Sequence, residues 1–167
     1  CLNYYTFGPM FSKWVKLFYN DAHSCVTNNG YMSDFFKIER GVRQGCPLSP
    51  YLFILALEPL FHKITITTEI QGMHMRNKHL KYTAFADDGT FFLNGSQKSL
   101  ESLVNTLDYY SLISGLKLNA NKSVILKIGA LKSSQQIYCE SKKFIWTTDK
   151  ASTLGIVFTN NKQSNRD

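Results

Sequence analysis

Two apolar runs, Leu80-Lys81-Tyr82-Thr83-Ala84-Phe85-Ala86 and Thr90-Phe91-Phe92-Leu93, are parted by Asp87-Asp88-Gly89. This pattern predicts the two strands of a β-hairpin, with Asp-Asp-Gly as its tight turn. The turn lifts two carboxylates onto the rim of a sheet. Carboxylates held side by side repel and so invite a cation, and hard oxygen ligands suit Mg²⁺ or Mn²⁺. A metal-binding hairpin of this kind points to phosphoryl transfer to a nucleotide. On its own, an Asp-Asp pair in a loop is more often a solvated surface pair, so the rest of the chain has to decide.

The chain has 167 residues, 44% of them apolar and 14% aromatic, which suits about one domain with a real core. A net charge of +7 fits a nucleic-acid partner better than an acidic one, although charge alone does not choose. Cys1, Cys25, Cys46 and Cys139 lie far apart with no zinc-ligand spacing, and the four histidines show none either. With no signal peptide in view, the cysteines read as reduced thiols of an intracellular protein, cytoplasmic or nuclear. The longest apolar stretch, Tyr51 to Phe61, is too short to span a bilayer, so no membrane partner is expected. A start on Cys1 rather than Met suggests a fragment.

Residues 9–20 carry apolar side chains at helical spacing. Ser24 to Thr27 and Tyr31 to Ile38 then flank Asn28-Asn29-Gly30, a strong hairpin signal. The loop from Glu39 to Pro50 contains two glycines and two prolines. Ser49 is placed as a helix N-cap and Pro50 at the first helical position. The helix that follows bears an apolar stripe from Leu52 to Ile64, with Pro59 inside it as an expected kink. A strand is predicted at Met73–Arg76, with Asn77-Lys78 turning the chain. A helix is predicted over 97–113 with Gly115 as its stop, and short strands at Leu116–Leu118 and Val124–Ile128. The expected class is α+β, an antiparallel sheet with helices packed on one face. Residues 1–162 form the domain and residues 163–167 a frayed polar tail.

The loop changes the weight given to the two acids. Arg43 offers a cationic fork suited to phosphate, and Gln44 can hydrogen-bond a sugar hydroxyl or a base edge. Gly45 permits close backbone approach, and the following helix N-terminus adds positive partial charge. Together these make half of a nucleotide pocket. A capped helix with a stiff entry turn would account for Ser49 and Pro50 alone.

Here the sequence resembles a family. Gly41-Val42-Arg43-Gln44-Gly45-Cys46-Pro47-Leu48-Ser49-Pro50 is similar to motif B of reverse transcriptases, in the form found in retrotransposons without long terminal repeats, the LINE type. Phe85-Ala86-Asp87-Asp88 is similar to motif C. Gly115 to Asn119 with Asn121-Lys122-Ser123 resembles motif D, and Leu154-Gly155-Ile156 resembles motif E, the primer grip. The four motifs stand in the family's order and span nearly the whole chain. B and C are specific together, D is supportive, and E is short.

The resemblance implies a right-hand polymerase, this chain being most of its palm. It implies that Asp87 and Asp88 hold the catalytic metal ions, Asp87 as the stronger ligand. Phe85 and Ala86 would lie beside the primer terminus and incoming nucleotide. Gln44 and Gly45 would line the nucleotide pocket, with Arg43 near template or phosphate. Lys122 falls at the motif D lysine, a general acid for the leaving pyrophosphate, against the plain alternative of a solvated loop lysine. The implied chemistry is two-metal nucleotidyl transfer with Mg²⁺ or Mn²⁺, using RNA template, DNA primer and dNTP in the intact parent. Lys78, Lys81, Lys117, Lys122 and Lys127 are candidates to follow nucleic-acid phosphates.

One expected part is missing. The family's third carboxylate comes from motif A, and Asp21, the one acid among the first 24 residues, does not stand in such a strand. The expectation is a chain that starts after motif A, without fingers or thumb, inactive alone and poorly stable. The alternative is a catalytically dead nucleic-acid-binding remnant or domesticated copy.

Overall fold

The computed structural model describes residues 2–39, 41–75, 77–133, 137, 139 and 141–160. Chain contacts divide it into two compact units, Cys1–Pro59 and Leu60–Asp167. The tail expected at 163–167 lies outside the described residues, as does Arg76 of the Met73–Arg76 strand.

In the first unit, helix α1 (Pro9–Tyr19) opens with Pro9 in its first turn, where a missing N–H costs nothing. None of its residues is fully buried. Strands β1 (His23–Ser24), β2 (Thr27–Asn28), β3 (Tyr31–Met32) and β4 (Phe36–Lys37) then form one long hairpin. Its inner pair matches Asn28 with Tyr31, and Asn29 and Gly30 turn the chain with φ of 48° and 82°. Both turn positions need the left-handed region, which is why Asn-Gly is found there. The outer pair matches Ser24 with Phe36, so residues 25–26 face the three residues 33–35. The extra residue is a β-bulge, and the Ser33 hydroxyl fills it by accepting the Val26 N–H at 2.9 Å.

Helix α2 (Ser49–Ile66) begins in the first unit and ends in the second. Ser49 is not its N-cap. The Ser49 hydroxyl instead donates to the Arg43 carbonyl at 2.5 Å, across the Gly45 turn. With that proton committed, the Tyr19 hydroxyl is left to donate to Ser49 Oγ, at 2.7 Å.

The second unit holds every buried apolar side chain among the described residues: Leu60 and Ile64 of α2, Ile70, and Leu100, Leu103, Val104 and Tyr110 of α3 (Gln97–Ser114). The Ser96 side chain caps α3 by accepting the Ser99 N–H, and Gly115, at φ 76°, ends it in the left-handed conformation the sequence predicts. Ser99, itself buried, receives the Gln71 N–H and donates to the Glu69 carbonyl.

Strands β5 (Met73–Met75) and β6 (Lys78–Leu80) pair antiparallel, as do β7 (Tyr82–Phe85) and β8 (Asp88–Phe91). Gly72 is required before the first pair, because a Cβ there would sit 2.2 Å from the Leu80 carbonyl oxygen. Strand β9 (Val124–Leu126) pairs with β10 (Ile145–Thr147), and β11 (Lys150–Thr153) with β12 (Ile156–Thr159).

The molecule is thus mixed α and β, and two expectations need correction. The strands form six separate two-stranded pairings among the described residues, not one sheet, and β9 with β10 is parallel. Neighbouring strands joined by two-residue turns pair antiparallel, whereas β9 and β10 are parted by a long crossover that lets both run the same way. Leu116–Leu118 is not a strand. The Leu116 N–H turns back to the Ser114 hydroxyl, and the Asn119 side chain caps the short 3₁₀ turn Ala120–Lys122, so the segment is spent between two caps.

Candidate active site

The β7–β8 hairpin carries the acidic pair. Tyr82 pairs with Phe91, Thr83 with Thr90, Ala84 with Gly89 and Phe85 with Asp88. The two turn residues are therefore Ala86 and Asp87. The expected Asp-Asp-Gly turn is displaced by one position, with Asp88 opening β8 and Gly89 inside it. Strand β7 is held to α2 where the Tyr82 ring stacks on Phe61, with centroids 4.6 Å apart and planes 12° from parallel.

Strand alternation sorts the hairpin into two faces. Tyr82, Ala84, Gly89 and Phe91 share the face that meets α2. Thr83, Phe85, Asp88 and Thr90 share the other, where Phe85 is 69% exposed. Asp87 stands at the apex. The turn places Ala86 at φ 50°, a region that costs an L-residue about 1–2 kcal/mol. Among the described residues neither the Asp87 nor the Asp88 carboxylate takes a hydrogen bond or an ion pair, and both residues are exposed. Their oxygens form a hard donor set with open lone pairs, which fits a divalent cation. No group of three or more His, Cys, Asp or Glu gathers among the described residues, so what they offer is a partial ligand set.

Lys81 immediately precedes this hairpin. Its ammonium donates to the carbonyls of Ile64 at 3.1 Å, Thr65 at 2.8 Å and Thr67 at 2.8 Å. All three protons are used at the C-terminal end of α2, where a cation complements the helix dipole. Burial pushes its pKa down. Lys81 is a helix cap and not the phosphate-following lysine proposed for it. Lys127 lies over the Trp146 ring at 5.7 Å, while Lys78, Lys117 and Lys122 are exposed.

Lys122 closes the 3₁₀ turn before β9, its N–H held by the Asn119 side chain at 3.2 Å. The β11–β12 hairpin, which carries Leu154-Gly155-Ile156, turns at Leu154 and Gly155 with φ of 51° and 77°. Thr153, the last residue of β11, accepts a hydrogen bond from Thr90 at 3.1 Å.

Arg43, Gln44 and Gly45 belong to the first unit, and Phe85, Ala86, Asp87, Asp88 and Lys122 to the second. Within the first unit Arg43, Gln44 and Gly45 are exposed. Gly45 has φ 81°, and nothing lies within 4 Å of where a Cβ would stand. Sequence reasoning missed Tyr19 and gave Ser49 a capping role, whereas the two brace this loop through the Arg43 carbonyl. It also missed the Thr90–Thr153 pair, whose members stand 63 residues apart with no spacing signal to link them.

The family model for reverse transcriptase (RNA-dependent DNA polymerase) matches residues 2–158. The chain belongs to that family, whose members work with divalent metal ions on nucleic acid. It is similar to the Retrovirus-related Pol polyprotein from type-2 retrotransposable element R2DM of Drosophila melanogaster, 33% identical over 158 residues, covering 89% of this chain and 15% of that protein. It is also similar to the Transposon TX1 uncharacterized 149 kDa protein of Xenopus laevis, 32% identical over 133 residues, covering 78% of this chain and 10% of that protein. A third relative is the Retrovirus-related Pol polyprotein from type-1 retrotransposable element R2 of Popillia japonica, 37% identical over 93 residues, covering 56% of this chain and 13% of that protein. The chain is therefore a reverse transcriptase domain of the non-LTR retrotransposon kind, and it spans only a small part of these relatives' length. No helix among the described residues is long and apolar enough to cross a membrane.

Proposed function

We propose that this chain supplies the palm of an RNA-directed DNA polymerase that copies an RNA template from a DNA primer. The observation that carries the reading is the β7–β8 hairpin, which offers Asp87 and Asp88 without partners at and beside its apex. They would hold a divalent ion, Mg²⁺ or Mn²⁺, and such an ion neutralises triphosphate charge and favours the primer 3′-hydroxyl as nucleophile. Asp87, at the apex, is the principal ligand, and Asp88 acts from the strand face.

The other side chains bind and orient. Phe85, directly across from Asp88, gives a flat apolar surface for the primer end. Ala86 keeps the turn narrow, so the primer terminus and nucleotide approach Asp87 closely. The Gln44 amide donates to and accepts from a sugar or base edge, Gly45 leaves its backbone open to the nucleotide, and Arg43 pairs with phosphate. The Lys122 ammonium gives a proton to the departing pyrophosphate.

The test is primer extension on an RNA template with Mg²⁺. Because no third acidic, His or Cys group joins Asp87 and Asp88 among the described residues, residues 1–167 alone are expected to give no product. The longer polypeptide carrying them is expected to extend the primer, and Asp87→Asn to lower that rate by at least about a hundredfold, since even supporting residues of metal sites cost 10–100-fold. Extension insensitive to Asp87→Asn would falsify the site. Tight primer–template binding without extension in the longer polypeptide would favour the binding-remnant reading instead.

A further inference from the structure

The Asp88-bearing face of the β7–β8 hairpin is tied to the tip of the β11–β12 hairpin by one side-chain bond. Thr90 Oγ1 donates to Thr153 Oγ1 at 3.1 Å, and both residues are half-buried. Thr90 lies two residues beyond Asp88 on the same strand, so both side chains leave the same face. Thr153 directly precedes Leu154 and Gly155, the turn at the tip. The other end of the second hairpin is held separately. The Asn160 side chain donates to the carbonyls of Lys127 and Thr148, both at 2.7 Å. The hairpin is thus fixed at its base by Asn160 and at its tip by Thr153.

We infer that Thr90 and Thr153 are positioning residues for nucleotidyl transfer. Their hydroxyl pair fixes the exposed Leu154–Gly155 tip against the face that carries Asp88. The bond therefore holds the tip and the Asp88-bearing strand in one alignment. A hydroxyl pair does this where a methyl contact does not, because a hydrogen bond sets both distance and direction. This rests on the proposed function and names two further residues for it.

Valine keeps the shape and β-branching of threonine and removes the hydroxyl, so each variant is compatible with its strand. A single Thr→Val change leaves one half-buried hydroxyl without its partner and lowers thermal stability. Replacing both removes the orphan and returns stability toward the parent. A structural role alone predicts that rate follows stability; a positioning role predicts that it does not.

The experiment measures RNA-templated primer extension and thermal unfolding in the polypeptide that carries this chain. Thr90→Val, Thr153→Val and the double variant are each expected to lower kcat about fivefold to tenfold, the rate equivalent of one hydrogen bond, with KM for dNTP within about twofold. Thr153→Ser, which keeps the hydroxyl, is expected to restore the rate. A double variant whose kcat recovers together with its Tm, or valine variants at parental kcat, would overturn the inference. Asp87→Asn runs alongside. If it is inactive while the valine variants work normally, only the threonine inference fails; if it stays active, the underlying site assignment fails.

Discussion

Cys46 lies in the loop between Gly45 and α2, half-buried. The Leu48 backbone N–H, directed at its sulfur, holds the thiol below the ordinary cysteine pKa, against the upward pull of desolvation. The sign follows for reactivity and for stability. More thiolate is present at a given pH in the fold than in the unfolded chain. Alkylation of Cys46 should therefore rise through a midpoint below that of the same thiol in the unfolded chain. The matching stability is present above the unfolded thiol's pKa and is lost as pH falls through the depressed folded value. Iodoacetamide trapping read by mass spectrometry across pH checks this, and a midpoint equal to that of the urea-unfolded chain would refute it. At this scale the sequence exposed what is local. Asp87 and Asp88 are neighbours, and Asn29-Gly30 announces its own turn. Ser49 was misread as a cap because its partners, the Arg43 carbonyl and the Tyr19 hydroxyl, come from six and thirty residues upstream.

Elements are set by their closures as much as by their propensities. Helix α2 is strongly apolar and would be predicted from its stripe alone, but its end is made by Lys81 from 14 to 17 residues downstream. Lys81→Met keeps the aliphatic stem and withdraws the cation from three carbonyls. The expected loss is about 1–3 kcal/mol in urea unfolding, with the ordered helix shortened around Lys63 to Ile66. A change below about 0.3 kcal/mol would show that water replaces the ammonium without cost. Hairpin β7–β8 was legible in existence and not in register. The apolar runs gave two strands, and Gly89 was the natural choice for a left-handed turn position. The strands pair instead with Ala86 and Asp87 in the turn, and Ala86 takes φ 50°. The parallel pairing of β9 with β10 has no local signature, because it depends on a crossover.

For the whole molecule, burial is unequal. The buried apolar residues described run from Leu60 to Tyr110. In the first unit Met10, Trp14, Leu17 and Phe18 of α1 are each more than half exposed. Hydrogen exchange should therefore protect α3 and the second half of α2 longest, while amides of α1 and of the 23–37 hairpin exchange first. Mass-spectrometric exchange of residues 1–167 tests this, and equal protection in both units would contradict it. The sequence promised an aromatic-rich core without saying where it would gather. That placement depends on which helix finds a second helix and a hairpin to cover it.

The hairpin that carries Asp88 has unlike faces, a packed ring on one and a carboxylate on the other. Its length therefore obeys a rule of parity. Losing or gaining one residue between Tyr82 and Asp88 sends the acid to the wrong side, whereas a change of two restores it. Among diverging copies of such a sequence, insertions and deletions in this hairpin should survive in even residue counts, a ledger of activity that can be read in genomes before any protein is made.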